Sequence, residues 1–237
     1  MEISIIIPAY NETKRIKNTL ESVIRFLDVY HKIILYEIII VDDGSKDNTI
    51  NLIPKNKHII LLKNEINRGK GFSIKKGVLL AKYDFILFMD SDLATPLQEL
   101  DNLYTYILEG YDMAIASRNL KNSNIVVKQP KYRQFAGKFF PFLVNIIAGL
   151  KFKDTQCGFK LMKAEPAKKI FSTMMINRFA FDVEMLYLAK KYGYKVVEVP
   201  VTWVDQKGST VNFLRDSWRM LRDLFKIRLN NILGKYK

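Results

Sequence analysis

The sequence is poor in the residues that cross-link chains or bind zinc. Its 237 residues include one cysteine, Cys157, and two histidines, His31 and His58. One thiol makes no internal disulfide, and two imidazoles build no His-rich zinc centre. The disulfide-stapled secreted scaffold and the zinc enzyme are therefore excluded. Long apolar runs are also missing. The most membrane-like stretch, residues 139–150, contains Pro141 and Asn145. As a helix it would span about 18 Å, against a hydrocarbon core of about 30 Å. It is too short to cross a bilayer and reads as core, or as a segment lying in an interface. The opening residues, Met-Glu-Ile-Ser-Ile-Ile-Ile-Pro, lack a basic n-region and a small-residue cleavage site. They read as a strand rather than a signal peptide. No Walker loop occurs, and no G-x-G-x-x-G follows the first apolar run, so neither of those phosphate cradles is in use. Acidic residues are scarce relative to basic ones: 24 Asp and Glu face 38 Lys and Arg, a net charge of +14. That surplus asks for an anionic partner, which can be nucleic acid, a membrane surface or a phosphorylated substrate.

What is present is core-forming material, 49% apolar and 12% aromatic, which excludes a disordered chain. Apolar runs and helical periodicity alternate through the first half. Strands are predicted at Ile3–Ile7, Tyr36–Val41, His58–Leu62, Phe85–Met89 and Met113–Ala116. Helices are predicted between them: from Thr13 to about Val29, a short one from an Asp47 N-cap to Ile53, Lys70 to Lys82, and one to Leu108 with Thr95 as N-cap and Pro96 at its first position. The second half is less regular. Helices are predicted over Arg133–Leu150, from Pro166, over Phe181–Tyr192 and from Val211 to Leu233. Short strands are predicted at Gly158–Met162, Lys195–Val199 and Val201–Val204. This alternation specifies an α/β fold with a doubly wound, mostly parallel sheet. The strands are unbroken apolar runs, as strands covered on both faces are. The division expected is a catalytic domain, residues 1–210, and a C-terminal amphipathic helix, residues 211–237.

In such sheets ligands bind at the carboxyl ends of the strands, and the polar clusters fall there. Pro8-Ala9-Tyr10-Asn11-Glu12 follows the first strand, Asp42-Asp43-Gly44-Ser45 the second, and Asp90-Ser91-Asp92 the fourth. Two aspartates two residues apart at a strand end can hold Mg²⁺ or Mn²⁺ together with substrate phosphates. The motif alone is weak, and the strand before it and helix after it give it weight. Asp42 and Asp43 repel each other unless something binds them. One can cap the following turn while the other accepts an N–H from a nucleobase, and the sequence does not say which. Asn67-Arg68-Gly69-Lys70-Gly71 places two glycines and a cation just before a helix, a loop able to approach phosphate. Arg118 and Arg133 have the fork geometry that suits phosphate. In the last helix Arg215, Arg219, Arg222 and Lys226 share one stripe, beside an apolar stripe of Leu214, Trp218, Leu221, Phe225 and Ile232. It reads equally as a membrane-surface helix or as one packed on the domain with a solvated basic edge.

Taken together, these segments resemble the family-2 inverting glycosyltransferases, whose fold is of the nucleotide-diphospho-sugar transferase (GT-A) type. The resemblance rests on Ser-Ile-Ile-Ile-Pro-Ala-Tyr-Asn-Glu (4–12), Val-Asp-Asp-Gly-Ser (41–45), Asn-Arg-Gly-Lys-Gly (67–71) and Asp-Ser-Asp-Leu (90–93), in that order and spacing. Within the family the chain is similar to the polyprenyl-phosphate branch, the dolichyl-phosphate sugar synthases. Ser117-Arg118, Arg133, Asp-Thr-Gln-Cys-Gly-Phe-Lys (154–160), Phe-Asp-Val-Glu (181–184) and Val-Pro-Val-Thr-Trp (199–203) carry that narrower likeness, and the second and third of these multi-residue pieces look more glucosyl than mannosyl.

The resemblance implies transfer of a hexose, glucose from UDP-glucose, to a polyprenyl phosphate with inversion. It implies a nucleotide pocket of Pro8, Tyr10, Asn11, Glu12, Asp42, Asp43 and Lys70, with Asp43 reading the base. Asp90 and Asp92 would hold Mg²⁺ or Mn²⁺ against the diphosphate, Asp92 with a catalytic role. Arg118 and Arg133 would hold the acceptor phosphate and act in catalysis. Asp182 and Glu184 would orient the acceptor, or else serve helix packing. Some relatives carry Gln two residues after the second motif Asp as a third metal ligand, and here that position is Ala94. The implied partners are a nucleotide sugar, a polyprenyl or dolichyl phosphate, and a membrane surface met through the basic helix or a partner protein, from a cytoplasmic, peripheral location. Nucleic acid is not expected, because the strand-end clusters are acidic. The readings set beside this one are a GDP-mannose donor, a non-lipid glycan acceptor, and a binding module without turnover.

Overall fold

The computed structural model describes residues 1–127, 143–206 and 213–237, with the side chains of 127 and 213–215 excepted. Strands β1 (Glu2–Ala9), β2 (Leu35–Asp42), β3 (Ile59–Lys63), β4 (Phe85–Met89) and β5 (Met113–Ser117) alternate with helices α1 (Ile16–Val29), α2 (Lys70–Leu80) and α3 (Glu99–Leu108). Then come β6 (Asn124–Val127), a helical stretch over 143–148 (α4), β7 (Phe159–Lys163), α5 (Ala164–Thr173), α6 (Phe181–Lys191), β8 (Val196–Pro200), β9 (Thr202–Val204) and α7 (Phe213–Ile232).

Seven strands form one sheet in the order β3-β2-β1-β4-β7-β5-β8. The first four strands in that order are parallel, β7 runs antiparallel between β4 and β5, and β8 is parallel to β5. The mostly parallel, doubly wound sheet read from the sequence is present. The sheet is covered on both faces. Ile3, Ile5 and Ile7 of β1 point to the face of α1 and α3, and Ile6 points to the face of α2, α5, α6 and α7. Strand alternation sends neighbours to opposite faces, so a strand buried on both sides is apolar at every position. Ser4, fully buried, is the exception in β1, and its hydroxyl donates to Glu37 at 2.6 Å.

Several boundaries differ from the pattern, each for a local reason. The helix expected from Thr95-Pro96 begins at Glu99. Thr95 is turned inward, its hydroxyl 3.7 Å from Cys157 Sγ, and two tight turns (Glu99 N to Pro96 O, Leu100 N to Leu97 O) lead into the helix. Helix α1 begins at Ile16 rather than Thr13, because the Thr13 amide goes to Asp47 at 3.3 Å. The short helix is a single 3-10 turn, Ile50–Leu52, whose N-cap is Thr49 rather than Asp47; Asp47 instead accepts the Thr49 amide at 3.0 Å. The sequence pattern missed β6, which pairs in parallel with β9 in a two-stranded sheet. Most of the helix expected over 133–150, Arg133 included, lies outside the described residues.

The expected boundary at residue 210 does not divide the core. Leu224 and Ile227 of α7, and Tyr236 beyond it, are buried in the same cluster as Ile6, Phe88 and Phe181.

Candidate active site

The carboxyl ends of β1 and β2 are sewn together by side chains. Asn11 takes the left-handed conformation (φ 57°), which Asn tolerates better than most residues. Its amide donates to Ser45 Oγ at 2.9 Å, and its side-chain oxygen accepts the Lys46 amide at 2.9 Å. The Glu12 amide donates to Thr49 Oγ1 at 2.7 Å. Near the end of β1 Pro8 stands opposite Val41 and Ala9 opposite Asp42, and half-exposed Tyr10 follows the strand.

The two aspartates then divide their work. Asp42 accepts the Ser45 amide at 3.1 Å through Oδ2, and its buried Oδ1 has no protein partner. Asp43 accepts Asn64 Nδ2 and the Arg68 amide, both at 2.9 Å, through Oδ1, and the Gly69 amide at 2.7 Å through Oδ2. Three of the roughly four acceptor positions on the Asp43 carboxylate are thus filled by one loop. The base-reading role implied for Asp43 meets a carboxylate that already brackets residues 64–69.

That bracket positions Lys70. Gly69, at φ 107°, needs a backbone that side chains rarely adopt, and a Cβ there would lie 2.5 Å from Asn177 O. A Cβ on Gly71 would lie 2.5 Å from Phe181 Cβ. The start of α2 is therefore packed under residues 176–181, and Asn177 O accepts the Phe72 amide at 3.0 Å. One amide at the helix start is thus occupied by a carbonyl from this chain. The ammonium of Lys70 is the part that enters the site, 2.5 Å from Asp90 Oδ1. Burial works against its charge, but Asp90, Asp182 and Asp92 outweigh burial and raise its pKa.

Asp90 is fitted to its place by an absence. A Cβ on Gly158 would come within 2.0 Å of Asp90 Oδ2, and the Gly158 carbonyl accepts the Asp90 amide at 3.0 Å. Thr19 Oγ1 on α1 fixes the middle of the motif by donating to Ser91 O at 2.6 Å. Leu93 adopts φ 54°, and Asp92 accepts the Ala94 amide at 3.0 Å. A non-glycine residue held there costs on the order of 1–2 kcal/mol, strain of the kind that collects at functional sites. Burial, and then the charge of Asp90, raise the pKa of Asp92. Burial also raises that of Glu12, with Asp92 adding to it and Arg15 opposing.

Crowded carboxylates of this kind attract a cation, and Lys70 already answers that attraction. Among the described residues no group of three or more His, Cys, Asp or Glu side chains could hold a metal ion, and Ala94 offers no ligand. A pair of carboxylates nonetheless fits a hard divalent ion, which takes one or two protein carboxylates and fills its shell with substrate phosphates and water.

Across the site Arg118 forms a two-pronged pair with Asp154, Nε to Oδ2 at 2.7 Å and Nη2 to Oδ1 at 2.9 Å, and its amide reaches Oδ2 at 2.9 Å. Burial opposes both charges. The partner outweighs it in each case, raising the pKa of Arg118 and lowering that of Asp154. Three of the five guanidinium donors are not engaged by Asp154. Glu198 supports the pair by accepting the Asp154 amide at 2.8 Å and Ser117 Oγ at 2.9 Å. The guanidinium carbon lies 5.4 Å from the Trp203 ring centroid.

Asp182 is buried in an ion pair with fully buried Lys160, which also donates to Thr155 O at 3.0 Å. Burial raises the Asp182 pKa, with Lys160 and Lys70 opposing. Asp182 is therefore close enough to feel the Lys70–Asp90 pair. Glu184 is not part of this cluster. It is fully buried and accepts hydrogen bonds from the Met175 and Ile176 amides and the Tyr236 hydroxyl. Asp154, Gly158, Lys160 and Glu198 went unassigned in the sequence; only the segment 154–160, quoted for its likeness, marked three of them.

Carboxylates, a lysine and a pinned arginine thus gather at the carboxyl ends of a mostly parallel sheet. Residues 4–171 match Glycosyl transferase family 2, and the chain belongs to that family of glycosyltransferases. Among curated proteins it is similar over its length to dolichyl-phosphate beta-glucosyltransferases. It is 38% identical to that of Dictyostelium discoideum, over 99% of this chain and 76% of the relative. The Homo sapiens protein is 33% identical, over 100% of this chain and 78% of the relative. The fold is shared with solved structures. Glucosyl-3-phosphoglycerate synthase from Mycobacterium tuberculosis, with Mn²⁺, UDP and phosphoglyceric acid, superposes with a TM-score of 0.68 at 18% identity, over 99% of this chain and 78% of that one. Mannosyl-3-phosphoglycerate synthase from Rubrobacter xylanophilus gives 0.70 at 18% identity, over 99% and 75%.

Proposed function

We propose that this glycosyltransferase moves glucose from UDP-glucose to the phosphate of dolichyl phosphate, with inversion. The observation that carries the reading is the juxtaposition of Lys70, Asp90 and Asp92 with a pinned Arg118, together with full-length likeness to dolichyl-phosphate beta-glucosyltransferases.

An oxygen of the acceptor phosphate attacks the anomeric carbon. The bond from that carbon to the donor diphosphate breaks, and its electron pair leaves with UDP. The second pKa of a phosphate monoester is about 6, so the attacking oxygen is already largely ionised and no strong base is required. The unengaged donors of Arg118 face the acceptor phosphate, and Asp154 keeps the guanidinium in place. Lys70 stands beside the diphosphate and meets the charge that gathers on it as the bond breaks. Asp90 and Asp92 would hold Mg²⁺ or Mn²⁺, which when bound supplies positive charge to the leaving diphosphate. The orphaned Oδ1 of Asp42 and the loop at Tyr10–Glu12 border the nucleotide pocket, and Arg133 is assigned to the acceptor phosphate with Arg118.

The acceptor is a lipid, so the protein works at a membrane surface. Among the described residues no helix is long and apolar enough to cross a membrane. Helix α7 supplies the contact. Its inner face, Leu224 and Ile227, is buried, while Trp218, Phe225, Leu229 and Ile232 are 53–77% exposed on one outer face. Exposed Arg222, Lys226 and Arg228 flank that face. The buried side packs the helix on the domain, and the exposed side is the one proposed to meet the membrane.

The test is transfer from UDP-glucose to a short-chain polyprenyl phosphate, with Asp92→Ala as the control. The variant is expected to stay folded and to lose at least about a hundredfold in rate. Full activity in Asp92→Ala would overturn the metal role. Transfer from GDP-mannose in place of UDP-glucose would overturn the donor assignment.

A further inference from the structure

We infer that Tyr236 is a positioning residue of the donor site, acting through Glu184 and the loop between α5 and α6. The inference rests on the reading of Lys70, Asp90 and Asp92 as that site.

The chain turns back sharply after α7 to bring Tyr236 inward. Gly234 adopts φ 67°, its amide donates to Asn231 O at 3.1 Å, and the Lys235 amide donates to Asn230 O at 2.9 Å. This is a Schellman turn, which closes a helix and reverses the chain on a left-handed glycine. Tyr236 is consequently 2% exposed, although it lies just past a helix whose outer face meets solvent. Its hydroxyl donates to Glu184 Oε1 at 2.5 Å. The same carboxylate accepts the Met175 amide at 3.0 Å and the Ile176 amide at 2.7 Å.

Those two amides open the segment that lies on the start of α2. Ile176 O and Asn177 O would stand 2.9 Å and 2.5 Å from Cβ atoms built on Gly71 and Gly69, the two glycines flanking Lys70. Asn177 O also holds the Phe72 amide. Only glycine fits at either position, and the Phe72 amide is bonded to Asn177 O, so a shift of the 175–177 segment reaches the backbone of Lys70, whose ammonium lies on Asp90. The chain of contacts runs from Tyr236 to Glu184, to the 175–177 amides, to the glycine-flanked lysine, to the carboxylate pair.

A purely structural tyrosine and a positioning one differ in what they change. Tyr236→Phe keeps the ring packed against Tyr187 and removes only the hydroxyl, leaving a buried carboxylate one donor short. Calorimetric titration with UDP and Mn²⁺ is run on the wild type, on Tyr236→Phe, on Glu184→Gln and on the double variant. Hydrogen exchange at the Met175 and Ile176 amides is followed alongside. The expected result is a five- to tenfold loss of UDP affinity in Tyr236→Phe, with faster exchange at both amides. The double variant is expected to lose no more than the worse single one, because both changes act on one link. In the wild type, UDP and Mn²⁺ should slow exchange at those amides, a measurement that needs no variant. Unchanged UDP affinity in a folded Tyr236→Phe, even with a lowered melting temperature, would overturn the inference and leave Tyr236 a packing residue. Additive losses in the double variant would overturn the route through Glu184. A wild type that binds no UDP would remove the donor-site reading itself, and the inference with it.

Discussion

Asp90 and Asp154 are both acidic residues near the site, and their surroundings give them opposite tasks. Asp90 is crowded by Asp92 and holds the Lys70 ammonium. Asp154 is 1% exposed and locked to Arg118 by two side-chain bonds. The crowding at Asp90 was legible in the sequence, because Asp90-Ser91-Asp92 ends an apolar strand and two carboxylates at that spacing share a neighbourhood. The second was not, because Asp154 meets Arg118 from 36 positions away, and no local pattern records a contact of that range. The Arg118–Asp154 pair has a pH signature. The Asp154 pKa is lowered from its ordinary value of 3.8. Its stabilising contribution is therefore complete above that value and is lost as the pH falls through the lower folded value. Asp154→Asn leaves the arginine without its counter-charge, and at neutral pH should cost roughly 3 kcal/mol. The gap between variant and wild type should narrow only below about pH 4, where Asp154 of the unfolded wild-type chain begins to take up a proton. Urea unfolding of both proteins from neutral pH to about pH 3 measures this. A gap that stayed constant over that range would show that the ion pair is not the source of the cost.

At the scale of elements, periodicity located what packs and missed what is stitched. Strand β4 was read with its observed ends because an apolar run between polar turns has little freedom. Strand β6 was missed because it spans only Asn124–Val127, in a stretch where asparagine and lysine surround three apolar positions. Its pairing with β9 is a tertiary fact. Helix α7 was ambiguous because two apolar sets at helical spacing overlap in its sequence, and only the fold shows which set faces inward. The outer set can be removed without touching the core. Trp218 and Phe225 are 74% and 59% exposed, so Trp218→Ser with Phe225→Ser should leave the melting temperature nearly unchanged. Burial of each such side chain in a lipid interface contributes roughly 1.5–3 kcal/mol, so the double variant should bind vesicles about a hundredfold or more weakly. Flotation with anionic vesicles reads the partition. Wild-type binding by the double variant would remove α7 from the membrane contact.

For the whole molecule, fold class was legible because alternation of strands and helices restricts a chain to few topologies. The division into a domain and an appended helix was not, because Leu224, Ile227 and Tyr236 complete the same core as β1 and β4. The net charge of +14 belongs to this scale too, since it is spread along the chain rather than held in one motif. It has two consequences for attraction to an anionic surface. The charged part of the attraction is screened over a distance of about 10 Å at 0.1 M salt and about 3 Å at 1 M. The apolar face of α7 is insensitive to that screening. Binding to vesicles rich in anionic lipid should therefore fall steeply as salt rises from about 0.05 M to about 0.5 M, each basic residue near the surface having contributed about 1 kcal/mol at low salt. It should level off at the affinity measured on neutral vesicles, where the α7 face alone holds the protein. Sedimentation with both vesicle types over that salt range separates the contributions. A curve falling to zero would make the attachment wholly electrostatic and leave exposed Trp218 and Phe225 without a role in it. A flat curve would mean that the positive surplus faces away from the lipid, toward the phosphorylated substrates.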